Sequence, residues 1–351
     1  MRLDEKIIQR LKGKRIGYSI GERKKRKLNF DLLAELCRSH GFEFIEIDLN
    51  MDLEQQGPFD MVIHKWSDLL AAPSDVSNLI YDLQNYFSNH PETIMLDPIA
   101  SVCTLVDRSR TYAAVSEYSK EPNSCLHIPN FVTIPENTDK YPILTLLKNA
   151  KIRFPIVCKP IVAHGSSLSH TMCIIFNEAG LKDLKSPCVA QQFINHNAEL
   201  FKIFVIGNEY HCVRRPSIKN FQASGNHEVS KARSSSFLNE CDEKRPVNAM
   251  PDDAIISSIV RKLRTSLDLK LFGVDVIIDN ITGLHYVIDV NFFPGYDGFP
   301  NFFASLFKLF YQVIEGKRGD CFEEINGNHQ NGITRNGISH NGVASQSSGQ
   351  K

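Results

Sequence analysis

Two apolar runs near the carboxyl end of the chain constrain its fold more than any other stretch. They are LFGVDVIID at residues 271–279 and LHYVIDVNFF at residues 284–293. Each run has the length and the Val and Ile content of a β-strand, and the short connection between them contains a Thr-Gly turn signal. The Pro-Gly pair at 294–295 ends the second run. The sequence therefore predicts a β-hairpin.

Polar side chains interrupt both runs of this hairpin. Asp275 lies in the apolar middle of the first, and period-two geometry puts Asp289 and Asn291 on one face of the second. Asp275 and Asp289 would lie side by side, where their charges repel unless a cation intervenes. Oxygen donors at a strand end suit Mg²⁺. A divalent-cation site is therefore favoured, although a single strand Asp is more often a turn former or an ion-pair partner.

The composition limits the classes of partner. With 351 residues the chain is long enough for two or three domains. Forty basic residues balance forty acidic ones, so a polyanion site must be a local cluster, and we expect no nucleic-acid partner. The nine cysteines form no CxxC motif and are typical of buried thiols in a reducing compartment.

Hydropathy gives an expectation for the compartment. No run reaches the length of a membrane span, and the first residues lack the apolar core of a signal peptide. We therefore expect a cytoplasmic protein without membrane insertion, with a nuclear pool left open. No exposed apolar stripe stands out, so we expect a monomer.

The first hundred residues alternate between strand and helix patterns. Predicted strands lie at 14–20, 42–49, 61–64 and 93–96, and predicted helices at 28–39 and 76–88. This rhythm is typical of a small open α/β domain, which we place at residues 1–98. Ligands of such sheets bind at the carboxyl ends of the strands.

A basic run, RKKRK at residues 23–27, follows the first predicted strand. Its place at a strand's carboxyl end makes Lys24 a candidate phosphate ligand, and Lys65, which follows the third strand, could join it. A solvated helix start or a general anion patch explains such a run equally well. A nuclear-import signal is a weaker third interpretation.

A lysine-bearing strand and a polar loop mark the middle of the chain. After a helical stretch at 99–120, the strand pattern IVCKP carries Lys159, and the loop AHGSSLSH at 163–170 leads into a strand at 172–176. Backbone N–H groups of such a loop can fold over an anion. Because no GxxxxGK[ST] or GxGxxG motif is present, the signal is weak alone, and an exposed, inert Lys159 is the alternative.

Two further strand regions follow. The pattern SPCVAQQFIN at 186–195 has an end that could bind a purine edge through its backbone. That end comprises Gln191, Gln192, Phe193 and Ile194. The pattern LFKIFVIGNEYHCV at 200–213 predicts two strands that turn at its Gly-Asn pair. Lys202 alternates with apolar neighbours and so faces away from them, and a plain exposed lysine is its alternative.

The last third of the chain combines helices with polar stretches. Helical periodicity covers 251–267 and 302–314, and the polar stretch 221–245 predicts a loop. Beyond residue 316 the composition shifts to Asn, Gly and Ser, which is typical of a disordered tail without a catalytic part. We divide the chain into domains at 1–98, 99–195 and 196–317 and a tail at 318–351.

The Lys-bearing strand, the strand end suited to adenine and the D…DxN hairpin together resemble the ATP-grasp architecture. Over residues 13–314, the sequences of the motifs and their order resemble those of the inositol-tetrakisphosphate 1-kinase family, also called inositol 1,3,4-trisphosphate 5/6-kinases. The motifs are IHK at 63–65, LDP at 96–98, DRS at 107–109, VAHG at 162–165, NHN at 195–197, RPS at 215–217 and DVNFFPGY at 289–296.

The resemblance implies a fold and an activity. The fold would be α/β (α+β), with an N-terminal open α/β domain and two α+β subdomains that clasp ATP. The activity would be that of an ATP- and Mg²⁺-dependent kinase acting on free hydroxyls of inositol tris- and tetrakisphosphates. Its acceptors would be the 1,3,4-trisphosphate at position 5 or 6 and the 3,4,5,6-tetrakisphosphate at position 1.

The resemblance also assigns roles to residues. Inositol phosphates would bind Lys24, Lys65, His170, Lys202, Asn291 and Gly295, with His164 as a competitor for the role of His170. ATP would bind Arg108, Lys159, Gln191, Gln192, Phe193, Ile194, Lys202, Ser217, Ser230 and Ser234. Mg²⁺ would bind Asp275, Asp289 and Asn291. Lys202, Asp289 and Asn291 would act in catalysis.

Two other functions fit parts of the pattern. An ATP-grasp carboxylate–amine ligase would share the fold and form an acyl phosphate, but the basic run at 23–27 favours a polyanionic acceptor. A non-catalytic nucleotide-binding module is the second alternative. Such a module would be expected to lose at least one of four residues that are all present: Lys159, Asp275, Asp289 and Asn291.

Overall fold

A computed structural model describes residues 4–71, 77–121, 124–163, 171–221, 229–233, 250–316 and 333–334. Three β-sheets with helices packed against them organise these residues, one sheet parallel and two mainly antiparallel. Within the described ranges, no helix has both the length and the apolarity that crossing a bilayer requires. The predicted mixture of helices and sheets is confirmed.

The first sheet is formed by the amino-terminal residues. Its strands are β1 (Arg15–Ser19), β2 (Glu43–Glu46), β3 (Met61–His64) and β4 (Ile94–Leu96). Its helices are α1 (Glu5–Leu11), α2 (Glu22–Leu28), α3 (Phe30–Ser39), α4 (Leu53–Gln56), α5 (Ser67–Ala71) and α6 (Ser77–Asn89). The strand order is β2-β1-β3-β4, and every pair is parallel. All four carboxyl ends therefore lie at one edge.

The basic run forms the short helix α2 at this edge. Asn29, with a φ of 53°, separates α2 from α3, so the helix predicted at 28–39 begins one residue after the break, at Phe30. The strand predicted at 42–49 is shorter than expected, because only Glu43–Glu46 pairs with β1. The prediction of a small open α/β unit otherwise matches the elements observed.

Two helices, α7 (Ile99–Val106) and α8 (Arg108–Ser119), replace the single helix predicted at 99–120. Asp107 between them is extended, and its carboxylate accepts hydrogen bonds from the N–H groups of Ser109 and Arg110 at 2.8 and 3.1 Å. A short acidic side chain favours this N-cap position over a helix interior. The cap fixes Arg108 in the first turn of α8.

The second sheet lies in the middle of the chain. Its strands are β5 (Phe131–Ile134), β6 (Ile156–Pro160), β7 (Thr171–Ile175), β8 (Cys188–Gln192) and β11 (Val229–Arg233), in the order β11-β7-β6-β8-β5. Helix α9 (Lys140–Asn149) and a 3₁₀ helix (Glu178–Asp183) contribute to a separate apolar core. The loop predicted at 221–245 is wrong at β11, which pairs with β7. Much of that stretch lies outside the described residues.

The third sheet contains the predicted hairpin. Its strands are β9 (Glu199–Ile206), β10 (Glu209–Pro216), β12 (Leu271–Ile278), β13 (His285–Phe292) and β14 (Ile333–Thr334), in the order β13-β12-β9-β10-β14. Helices α10 (Asp253–Leu267) and α11 (Phe302–Gly316) accompany it. Strands β12 and β13 pair antiparallel, so the hairpin is confirmed. Apart from β14, the tail at 318–351 lies outside the described residues.

One apolar core joins the first sheet to the third. Phe42 and Phe44 pack against Phe307 and Phe310 of α11, with ring centroids 5.5 and 6.3 Å apart. All four side chains are buried, and burying aromatic rings is a large stabilising term. This core therefore packs the amino end of β2 in the first sheet against α11, which accompanies the third sheet. The divisions after residues 98, 195 and 317 stay a prediction.

Candidate active site

Asp275 and Asp289 occupy paired positions on β12 and β13. Asn291 lies two residues further along β13, opposite Gly273. Only 14% of the Asp275 side chain is exposed. Burial raises the pKa of Asp275, and the nearby charge of Asp289 raises it further. Two carboxylates held together in this way favour a bound cation, because a cation offsets both their burial and their repulsion.

Lys202 lies on the other side of Asp275. It is the paired residue on β9, and its Nζ is 2.8 Å from Oδ1 of Asp275. The ammonium group favours the charged carboxylate and so acts on the pKa of Asp275 in the opposite direction to burial. Lys202 is therefore not a plain exposed lysine, and that alternative is wrong. It belongs to the same charged cluster as the two carboxylates.

Lys159 at the end of β6 reaches the same cluster from the second sheet. Its Nζ donates hydrogen bonds to the hydroxyl of Tyr112 at 2.8 Å and to the carbonyl of Ile288 at 2.7 Å. The residue is only 5% exposed, so the alternative of an exposed, inert lysine is wrong. Burial lowers the pKa of Lys159 to about 8, while the carboxylates of Asp289 and Asp275 favour its charged form.

Tyr112 is a site residue that the sequence analysis missed. Its hydroxyl also donates to the carbonyl of Ile288 at 2.7 Å, and the side chain is buried. A tyrosine inside an amphipathic helix is usually part of a core, so its spacing gives no signal for a role beside Lys159. Burial together with the charge of Asp289 raises the pKa of Tyr112, so its hydroxyl stays protonated.

Arg108 joins α8 to the end of β6. Its Nη1 donates to the carbonyl of Pro160 at 2.7 Å, and its backbone N–H donates to the carbonyl of Ile161 at 2.9 Å. The residue is 6% exposed. A buried guanidinium always carries its charge, so this strand end is positively charged. Arg108 and Lys159 thus lie on adjoining parts of one strand end, as an anion site requires.

The strand end predicted to bind a purine closes β8. The Gln192 side chain accepts from the N–H of Arg153 at 2.8 Å and donates to the carbonyl of Phe193 at 3.2 Å. Gln191 is 2% exposed and lies opposite Phe131 of β5. These contacts hold the end of β8 in a fixed shape beside the strand that carries Lys159.

His196 links this strand end to Ser217. Its Nδ1 lies 2.7 Å from the carbonyl of Ile194, and its Nε2 lies 2.8 Å from the Ser217 hydroxyl. Because a carbonyl only accepts, Nδ1 carries the proton and the Ser217 hydroxyl donates to Nε2. Burial lowers the pKa of His196, which is consistent with a neutral ring. His196 was noted only as part of a motif, and its bridging position was not predicted.

Lys24 and Lys65 bring the first sheet to the end of β13. Nζ of Lys24 donates to the carbonyls of Phe293 and Pro294, and Nζ of Lys65 donates to the carbonyl of Phe292 at 2.7 Å. Burial, with the neighbouring lysine charges, lowers the pKa of Lys24 to about 6 and burial lowers that of Lys65 to about 8. The predicted association of the two lysines is observed.

Gly295 lies directly against the side chain of Lys27. A Cβ at residue 295 would come within 2.6 Å of Nζ of Lys27 and 3.2 Å of a carboxylate oxygen of Asp297. These two side chains form an ion pair at 2.7 Å. Any larger residue at 295 would displace this pair. Because the end of a lysine side chain is flexible, this close contact alone does not require glycine at 295.

Several predicted residues cannot be placed. His164, His170 and Ser234 lie outside the described residues, together with the polar loop at 164–170. Ser230 lies in β11, where its Cα pairs with that of Ile174 on β7.

The hairpin has a donor set that fits Mg²⁺. Two carboxylates and the amide of Asn291 lie along it, and these oxygen-bearing groups are the ligands that Mg²⁺ prefers. The described residues contain no cluster of three carboxylate, imidazole or thiol groups, so the Asn291 amide oxygen would complete the set. Nδ2 of Asn291 is buried and has no hydrogen-bond partner among them. This nitrogen donates hydrogen bonds and cannot bind a cation, so its unpartnered state is expected where an anion oxygen belongs beside the metal.

Comparison with known families covers nearly all of the described chain. Residues 120–312 match the model described as the inositol 1,3,4-trisphosphate 5/6-kinase ATP-grasp domain. Residues 15–102 match the model described as the inositol 1,3,4-trisphosphate 5/6-kinase pre-ATP-grasp domain. Both matches contribute to the candidate site, since Lys24 and Lys65 lie within residues 15–102 and the hairpin lies within residues 120–312.

Curated relatives agree with these matches. An inositol-tetrakisphosphate 1-kinase of Danio rerio is 44% identical, covering 88% of this chain and 81% of its own length. One from Xenopus laevis is 42% identical, covering 87% of this chain and 80% of its own. An inositol-tetrakisphosphate 1-kinase 2 of Glycine max is 31% identical, covering 86% of this chain and 96% of its own length.

Solved structures show the same fold at low identity. A D-alanine–D-alanine ligase of Bacillus anthracis superimposes with a TM-score of 0.55 at 15% identity, covering 87% of this chain and 99% of its own. The D-cycloserine synthetase DcsG superimposes with a TM-score of 0.58 at 12% identity, covering 86% of this chain and 99% of its own. At such identities the likeness concerns the fold alone, and it confirms the predicted ATP-grasp architecture.

Proposed function

The chain belongs to the inositol 1,3,4-trisphosphate 5/6-kinase family and is an ATP-dependent inositol phosphate kinase, and from this premise we propose how its site works. The proposed acceptors are free hydroxyls of inositol tris- and tetrakisphosphates: the 1,3,4-trisphosphate at position 5 or 6, and the 3,4,5,6-tetrakisphosphate at position 1. The carboxylate–amine ligase is set aside, because the matching relatives are kinases and the ligases share only the fold.

The observation that carries the proposal is the convergence of cations from three parts of the chain on one hairpin. Lys159 comes from the second sheet, Lys202 from the neighbouring strand of the third, and Lys24 with Lys65 from the first. A triphosphate and a polyphosphorylated acceptor both carry several negative charges, which positively charged side chains offset. Phosphoryl transfer between them depends mainly on positioning and electrostatic stabilisation.

ATP is proposed to bind on the second-sheet side of the hairpin. Lys159 and Arg108 supply positive charge at the end of β6, and Lys202 faces them from β9. Gln191 to Ile194 would border the adenine, and Ser217, held by His196, lies beside them. We include Ser230 and Ser234 in the nucleotide side because of the family resemblance.

Mg²⁺ is proposed to bind Asp275, Asp289 and Asn291. When bound, such an ion neutralises charge that develops on transferring phosphoryl groups. The protein's own contribution is to hold two carboxylates and an amide on adjacent strands and to place Lys202 and Lys159 beside them. These two cations would orient the phosphates.

The acceptor is proposed to bind at the end of β13. An ammonium group has three hydrogens, and the contacts of Lys24 with two carbonyls leave one hydrogen for a phosphate oxygen. Lys65 and Gly295 border the same place, and His170 is proposed to join them from the polar loop. Holding several phosphates selects which hydroxyl lies in line with the transferred group.

The remaining proposals concern the cellular compartment, the oligomeric state and the domain division of the enzyme. Cys37, Cys103, Cys125, Cys158, Cys173, Cys188 and Cys212 are free thiols, which supports a reducing, cytoplasmic compartment. A monomer, the domain division given above and a tail without a catalytic part stay our proposals.

One experiment tests the activity. Purified protein is incubated with Mg-ATP and a panel of inositol tris- and tetrakisphosphates, and the products are resolved by anion-exchange chromatography. We expect a more highly phosphorylated isomer from at least one acceptor, which also identifies the position modified. ATP binding without any product across the panel would overturn the proposal.

A further inference from the structure

Residues 292–296, which we name the acceptor loop, comprise the last residue of β13 and the four residues after it, and they have a strained conformation. Phe293 and Tyr296 have φ angles of 38° and 50°, in the left-handed region that bulky side chains rarely adopt. Such a conformation persists only where the surrounding structure holds it. The loop contains Gly295 and begins directly after Asn291. The groups that hold the loop therefore determine how the acceptor is placed.

Asp97 lies at the start of a chain of hydrogen bonds that ends in this loop. It directly follows β4 and is fully buried, and its two carboxylate oxygens accept from the N–H groups of Lys270 and Leu271, each at 2.8 Å. The carbonyl of Leu271 accepts in turn from the N–H of Phe293 at 2.8 Å. A carboxylate of the first sheet thus fixes the first residue of β12, which fixes the acceptor loop.

Asp97 is itself fixed on the side of the first sheet. Nε2 of His64, the last residue of β3, donates to the backbone carbonyl of Asp97 at 2.7 Å. His64 is fully buried, and burial lowers its pKa to about 4, so the ring is neutral at ordinary pH. The carboxylate is therefore anchored to the sheet from which Lys65 also extends.

The acceptor loop is held from other directions at the same time. The Tyr296 hydroxyl donates to the carbonyl of Val205 at 2.9 Å. Pro294 packs onto β12 so closely that a Cβ at Gly273 would lie 3.1 Å from its ring. Lys24 donates to the loop's carbonyls. Removing one of several supports should shift the loop rather than unfold it, because strained segments are over-determined by their contacts.

We propose that Asp97 is a positioning residue for phosphoryl transfer, which keeps the acceptor loop in its strained shape through Leu271 and so aligns the inositol phosphate without contacting either substrate. The inference rests on the proposed function, since it concerns the acceptor side of the same site. Arg108 contacts the carbonyl of Pro160 at the end of β6, and Lys159 contacts the carbonyl of Ile288, which lies within β13 before the acceptor loop. Loss of the Asp97 carboxylate should therefore affect the acceptor and spare ATP.

The variant Asp97→Asn tests this role, and Asp60→Asn is its matched control. Asp97→Asn replaces one of two accepting oxygens by an amide that cannot accept a hydrogen bond. Asp60 directly precedes β3, and its carboxylate accepts from the N–H of Arg15, the first residue of β1, at 2.9 Å. Both aspartates thus tie a strand start to the first sheet, but Asp60 does so at the edge remote from the acceptor loop.

The readouts are thermal stability, kcat, and KM for each substrate separately. In Asp97→Asn we expect KM for the inositol phosphate to rise about tenfold and kcat to fall, while KM for ATP changes by less than about twofold. Asp60→Asn, at a similar loss of stability, should leave both KM values within about twofold of wild type. A merely structural Asp97 would change both KM values together or neither, and either result overturns the inference.

Two further outcomes are distinguishable. If the wild-type protein forms no phosphorylated product, the proposed function itself fails. If Asp97→Asn does not fold, Tyr296→Phe carries the test, because it removes one hydrogen bond of the acceptor loop and leaves the carboxylate in place. A selective rise in the acceptor KM of Tyr296→Phe supports positioning by the loop, and an unchanged acceptor KM overturns it.

Discussion

Lys202 and Asp275 face each other across β9 and β12, with the ammonium nitrogen 2.8 Å from the carboxylate. Asp289 faces Asp275 from the opposite strand, β13. The central carboxylate thus has a cation on one side and a second anion on the other. Because Lys202 and a metal ion would both act on this one carboxylate, the effects of removing them should be non-additive.

Replacing Asp289 by Ala should abolish turnover. The change removes one of two carboxylates proposed to hold Mg²⁺. Loss of a group that stabilises charge in the transition state of phosphoryl transfer lowers kcat by at least about a hundredfold. Product formation at saturating substrates measures the effect. Asp279→Ala is the matched control, because Asp279 lies at the turn of the same hairpin, where its carboxylate accepts hydrogen bonds from Ile281 and Thr282. Undiminished turnover in Asp289→Ala would refute the metal assignment.

Metal binding should also be visible without catalysis. At about one hundred times its dissociation constant, Mg²⁺ should stabilise the wild-type protein by about 2.7 kcal/mol, because a ligand of the native state alone shifts the folding equilibrium. Thermal unfolding with MgCl₂ and with EDTA measures this. The stabilisation should be lost in Asp275→Asn and kept in Asp279→Asn. Equal stabilisation of all three proteins would place the ion elsewhere.

The hairpin could be predicted from sequence because the information is local. Both strands are long, the turn signal is short, and period two places Asp289 and Asn291 on one face. The structure confirms the predicted pairing of Asp275 with Asp289, but the exact register depends on a β-bulge between Asp275 and Val276 that the turn and the strand pattern do not reveal.

Contacts between distant parts of the chain could not be predicted in this way. Lys159 and Tyr112 are 47 residues apart and lie in different elements, and a tyrosine in a helix suggests only a core. Asp97 was noticed within a motif, but the N–H groups it binds lie more than 170 residues away. Asp107 lies inside the stretch at 99–120 that the sequence predicts as one helix, and its position as the N-cap of α8 was not predicted.

Lys159→Met should raise KM for ATP. The change keeps the apolar stem and removes a buried charge proposed to bind phosphates, and charge-assisted hydrogen bonds of this kind are worth about 1.5–3 kcal/mol, or roughly ten- to a hundredfold. Steady-state kinetics with varied ATP and saturating inositol phosphate measure it. Lys148→Met is the control, because Lys148 is exposed on α9, a helix that belongs with the same second sheet as Lys159. A rise confined to the acceptor KM would contradict the assignment of Lys159 to ATP.

Lys24→Ala should mainly weaken binding of the inositol phosphate. Lys24 lies on the first sheet, and its ammonium group reaches the end of β13, away from the strand end that carries Lys159. We expect a rise of at least about tenfold in the acceptor KM, with a smaller change in the ATP KM. The neighbouring Arg23→Ala tests whether any charge of the basic run suffices. Equal effects of the two variants would favour a general anion patch.

Binding of the inositol phosphate should take up a proton near neutral pH. Burial and the charges of Lys65 and Lys27 lower the pKa of Lys24 to about 6, so in the free enzyme its amine is mostly uncharged at about pH 8. A polyanion beside it favours the ammonium form and raises the pKa in the complex, so a proton enters on binding. Calorimetry in two buffers of different ionisation enthalpy measures the uptake. It should fall in Lys24→Arg, whose guanidinium is always charged, to the share contributed by Lys65, whose pKa is lowered to about 8. An unchanged uptake in Lys24→Arg would assign the proton to another group.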